Sequence, residues 1–124
     1  MTDTPRDDKS TLRDLQQLTQ AFVAERDWHQ FHSPRNLAMA LSVEAAELLE
    51  LYLWSTDEGP QPPVSTRHAK VADEAADVLI CLLNFAAMAE IDLAAALHTK
   101  LERAREKYPI DHAKGRALKY DEYT

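Results

Sequence analysis

The chain has 124 residues, enough for one domain that buries roughly two-thirds of the surface its unfolded form exposes. Hydrophobic residues are 45% and charged residues 28%, the balance of an ordinary globular protein. Fourteen basic against 21 acidic residues leave a net charge of −7, which argues against a nucleic-acid partner gripped by phosphate neutralisation. Two glycines cannot build a glycine-rich phosphate loop, and the single Cys81 excludes an internal disulfide.

Met1 to Ser10 is polar and carries no secretory signal, so a cytoplasmic protein is expected. The longest apolar run, Val78 to Leu83, is too short for a bilayer, so no membrane partner is expected. Leu12, Leu15, Leu18, Phe22 and Val23 recur at helical spacing and predict a first helix over about 11–27. Trp28 to His32 is an aromatic-rich connection. Ser33-Pro34 reads as an N-cap followed by proline at the first helical position, where the missing N–H costs nothing. From Leu37 to Trp54 only Ser42 and three glutamates interrupt the apolar residues, predicting a helix buried on nearly every face. Asp57 to Ser65, with Gly59 and three prolines, is a loop. A third helix is predicted from Ser65 or Thr66 to Ala89. Asp92 caps a fourth that ends near Lys107, because Pro109 cannot continue it. Residues 1–10 and about 110–124 read as irregular tails. The prediction is a single all-α domain, a four-helix bundle whose remaining apolar faces are covered by a second copy, as homodimer or homotetramer.

Glu44-Ala45-Ala46-Glu47-Leu48-Leu49 is echoed thirty positions later by Glu74-Ala75-Ala76-Asp77-Val78-Leu79. Each copy puts two carboxylates three residues apart on one helix face. Glu44 shares its face with Leu37, Leu41, Leu48 and Leu51, and Glu47 with Val43, Leu51 and Trp54. If the two helices pack together, four carboxylates converge inside a bundle. Either some are protonated or a divalent cation sits among them. An all-oxygen ligand set suits Mg²⁺, with Mn²⁺ as a substitute. A di-iron centre would need Glu-x-x-His, which neither pair supplies.

EAAELLE (44–50) followed by EAADVLI (74–80) resembles the ExxE…ExxD signature of the MazG-like nucleotide pyrophosphohydrolases, an all-α superfamily. The match is closer still to its dCTP pyrophosphatase branch. FVAERDWHQFHSPRNL (22–37), Trp54, Ile91-Asp92-Leu93 and Lys107-Tyr108-Pro109 carry it, over roughly residues 12–120. The resemblance implies Mg²⁺-dependent cleavage of a nucleoside triphosphate between its α and β phosphates, on dCTP or a modified pyrimidine deoxynucleotide, as nucleotide-pool cleaning. It implies Glu44, Glu47, Glu74 and Asp77 as catalytic metal ligands. Trp28, Phe31, His32 and Trp54 would shape the base and sugar pocket, and Lys100 would meet the phosphates. The sequence departs from the branch at Thr19 and Cys81, where a histidine and a tyrosine are usual, and at Ala104, where a polar residue is usual. Asn84, on the Asp77 face, could supply a compensating hydrogen bond. Two other readings stay open: a broad-range or dUTP-directed pyrophosphatase, and a helical interaction module without catalysis.

Overall fold

The computed structural model describes residues 3–54 and 65–122. The predicted loop over Asp57 to Ser65 therefore lies, apart from Ser65, outside the described residues. Every described element is helical: α1 (Leu12–Glu25), a 3-10 turn (His29–Phe31), α2 (Pro34–Glu50), α3 (Thr66–Ala89), α4 (Leu93–Lys107), the short α5 (Ile110–Ala113) and a second 3-10 turn (Tyr120–Glu122). No single described helix is long and apolar enough to cross a membrane.

Local chemistry starts each long helix. Thr11 and Asp14 form a reciprocal capping box on α1: the Asp14 N–H donates to the Thr11 hydroxyl and the Thr11 N–H to the Asp14 carboxylate. Ser33 accepts from the Asn36 N–H and is followed by Pro34 at the first position of α2. Ser65 accepts from the His68 N–H to cap α3, and Asp92 accepts from the Ala95 N–H to cap α4.

Two compact units divide the chain, Met1–Ile91 and Asp92–Thr124. In the first, α3 packs against both α2 and α1. Its core is small, with Val23, Leu37, Leu83 and Ala86 buried together with the polar Asn84. The second unit holds α4, α5 and the 3-10 turn. There the rings of Tyr108 and Tyr120 meet edge to face at 6.3 Å, and the Lys107 ammonium lies 4.9 Å from the Tyr120 ring centre.

Three expectations need correcting. The second helix was predicted to reach Trp54 but ends at Glu50. The N–H groups of Leu51, Tyr52 and Leu53 bond back to Leu48, Leu49 and Glu50, which tightens the chain into turns. Arg67 at the start of α3 donates to the Leu51 carbonyl, so a cation closes the negative end of α2. Nor is α2 buried on nearly every face: Met39, Val43 and Leu49 are exposed, because α3 covers only one side of it. The C-terminal segment is not wholly irregular, since it contains α5 and the second 3-10 turn.

Candidate active site

Two helices supply the carboxylates. Glu44 and Glu47 lie one turn apart on α2, and Glu74 and Asp77 one turn apart on α3. Packing of α2 on α3 brings them together, with one oxygen from each residue within 4.8 Å of the others. All four side chains are half-buried. The Oε2 atoms of Glu44 and Glu74 are removed from solvent and have no hydrogen-bond partner. Burial, then Glu47, then Asp77 and Glu74 push the Glu44 carboxyl above the ordinary carboxylate value. Burial, then Glu47, then Asp77 and Asp73 do the same to Glu74.

Four converging carboxylates, two of which also carry an unpartnered buried oxygen, fit a hard divalent cation. Such an ion would satisfy both orphans and cancel the repulsion that raises the two pKa values. Glu50 and Asp73 are exposed and do not join the group. The half-buried Cys81 follows Asp77 by one turn, and burial, then Glu44 and Asp77, push its thiol up. No basic group activates it, so it is an inert thiol beside the carboxylates.

Between α1 and α3 lies an apolar cavity of about 300 Å³. Trp28, Phe22 and Leu18 line it together with the polar residues Thr19, Asn84 and His32. The Trp28 ring meets Phe22 edge to face at 5.7 Å, and the Arg26 guanidinium sits 3.7 Å from the Phe22 ring centre on its other side. Burial, then His29, lower the pKa of His32, so it is neutral at pH 7, and its Nδ1 is buried without a partner.

The predicted pocket residues do not all meet here. Trp28 and His32 line the cavity, whereas Phe31 and Trp54 do not. Phe31 sits in the first 3-10 turn with its side chain exposed, while its carbonyl accepts from Asn36. Trp54 is 100% exposed. It falls beyond the end of α2 with φ at +64°, so it cannot share a helix face with Glu47. Lys100 is an exposed residue of α4, in the second unit. Ile80 and Gln20 carry no site signal in the sequence and Leu18 reads there only as a helix-face position, whereas Thr19, His32 and Asn84 are polar positions that the sequence flags.

The family model described as MazG-like matches residues 39–123, which includes all four carboxylates. The chain belongs to the MazG-like family. Among curated MazG-like relatives it is 44% identical over 112 residues to dCTP pyrophosphatase 1 of Rattus norvegicus, covering 89% of this chain and 66% of that one. Against dCTP pyrophosphatase 1 of Homo sapiens it is 44% identical over 114 residues, covering 90% and 67%. The chain thus spans just under two-thirds of the rat relative's length. The crystal structure of a pyrophosphatase from Archaeoglobus fulgidus DSM 4304 superposes with a TM-score of 0.71 at 34% identity, covering 88% of this chain and 98% of that one. A MazG-like fold therefore surrounds the carboxylate group and the aromatic cavity.

Proposed function

We propose that this chain is a divalent-metal-dependent nucleoside triphosphate pyrophosphohydrolase that converts dCTP, or a modified pyrimidine deoxynucleotide, to the monophosphate and pyrophosphate. The observation that carries the reading is the convergence of Glu44, Glu47, Glu74 and Asp77 within 4.8 Å, in the same helical unit as an aromatic cavity. The relatives named dCTP pyrophosphatase 1 support the substrate class.

Glu44, Glu47, Glu74 and Asp77 would hold the ion, Mg²⁺ or in its place Mn²⁺. When bound, a divalent cation neutralises phosphate oxygens and lowers the pKa of an attacking water. Its recruitment also answers how a chain of net charge −7 binds an anion. Trp28 offers a ring face against which a base can stack, worth about 1–3 kcal/mol. Neutral His32 can exchange a hydrogen bond with the nucleotide without adding charge. A further carboxylate oxygen, not engaged by the ion, would orient or deprotonate the water. Phe31 and Trp54, outside the cavity, would meet the nucleotide beyond the part that the cavity holds.

A nucleotide panel tests the reading. Wild-type protein is expected to release pyrophosphate from dCTP with Mg²⁺ and not with a chelator. Glu47→Gln is expected to lose at least about 100-fold in kcat, the scale of removing one group that acts in the transition state, with an unchanged circular dichroism spectrum. No pyrophosphate from any nucleotide, or full activity in Glu47→Gln, contradicts it, and the first outcome would favour the helical interaction module.

A further inference from the structure

The aromatic cavity carries two polar pairs whose hydrogen-bond directions are fixed by their own partners. Asn84, 5% exposed, projects from α3, and its Oδ1 accepts from Gln20 Nε2 on α1 at 2.9 Å. With one lone pair of its oxygen taken by Gln20, Asn84 keeps its amide protons for a further partner. The Thr19 hydroxyl donates to the Gln16 carbonyl at 2.9 Å. With its proton engaged, Thr19 offers the cavity only lone pairs. Gln16 is itself tied to α3, its Nε2 donating to the Leu83 carbonyl at 3.1 Å, so both pairs are braced across α1 and α3.

The cavity lining thus includes an acceptor, Thr19, and a donor, Asn84, beside Trp28 and His32. Cytosine matches that order on adjacent atoms, with its 4-amino group donating and its N3 accepting. Thymine and uracil present the reverse, O4 accepting and N3–H donating. We infer that Asn84, held by Gln20, reads the base by donating to cytosine N3 while Thr19 accepts from the 4-amino group. Asn84 is then a specificity-determining residue and Gln20 a positioning residue for it. A base with O4 in place of the 4-amino group sets two acceptors, O4 and the Thr19 hydroxyl oxygen, against each other, which discriminates far better than a lost apolar contact does. The assignment rests on the pyrophosphohydrolase reading and adds the source of its base preference.

The test compares dCTP with its 3-deaza analogue, which lacks the N3 acceptor, and with the analogue lacking the 4-amino group. Wild type is expected to favour dCTP over 3-deaza-dCTP by about tenfold in kcat/KM, the scale of one hydrogen bond to a buried group. In Asn84→Ala that preference is expected to fall to within about twofold of unity, while the preference over the amine-lacking analogue persists. Gln20→Ala is expected to reduce the 3-deaza preference in part. Should Asn84→Ala not fold, Asn84→Leu, close in volume, replaces it, with the same loss expected. Unchanged 3-deaza preference in a folded Asn84 variant overturns the assignment and leaves the functional reading standing. A loss confined to the amine-lacking analogue overturns the donor direction. Wild-type protein that hydrolyses no nucleotide overturns both readings together.

Discussion

Glu44 and Glu74 are the two carboxylates of the group whose protonation the fold favours. Each keeps a solvent-excluded oxygen without a partner, and each titrates above the ordinary carboxylate value because burial and neighbouring acids disfavour its charge. In the metal-free protein the folded state thus holds protons at these positions more tightly than the unfolded chain does. Stability from this source is present below the ordinary carboxylate value and is lost as pH rises through the raised folded value. Glu44→Gln cannot ionise and escapes that loss. The melting temperature of metal-free Glu44→Gln, relative to wild type, is therefore expected to climb between about pH 4 and pH 7. Thermal melts at several pH values measure it, and a flat or falling difference contradicts the account. Excess Mg²⁺ at pH 7 is expected to reverse the order, since it rescues the wild type more than the variant.

At the scale of elements, what was legible in the sequence was local. Ser33-Pro34 and Asp92 start α2 and α4 as their chemistry dictates, within three residues of the capped N–H. The paired carboxylates were legible because helix geometry alone sets two residues three apart on one face. Only the pairing of α2 with α3 had to be supplied, and the apolar flanks of both copies suggested it. The end of α2 was not legible. Its closure depends on Arg67, 16 residues along the chain from the Leu51 carbonyl that it holds, and the apolar run from Leu51 to Trp54 reads as more helix. The same reason hid the departure of Trp54 from the Glu47 face. The Gln20–Asn84 and Gln16–Leu83 bonds were invisible for a related cause. They join residues 64 and 67 positions apart, and a glutamine on an amphipathic helix looks the same whether it meets water or a neighbouring helix.

For the whole molecule, the outstanding feature is how little one copy covers. Val43 of α2 is 56% exposed and Leu49 60%, on a helix whose composition is that of a core element. Apolar surface of this kind on one element is suited to burial against a partner, and a second copy of the chain is the occupant that the sequence reading expects. Sedimentation is expected to give a multiple of 14.0 kDa, dimer or tetramer, at micromolar concentration. A monomer there contradicts that expectation and leaves the carboxylate site, built from α2 and α3 of one chain, untouched.

The central claim is that these four carboxylates serve hydrolysis between the α and β phosphates. The most direct measurement is product analysis of dCTP turned over with Mg²⁺ in ¹⁸O-labelled water. The account predicts dCMP and pyrophosphate as the first products, with one labelled oxygen in one of the two and none in any dCDP. Appearance of dCDP and free phosphate as primary products would contradict it.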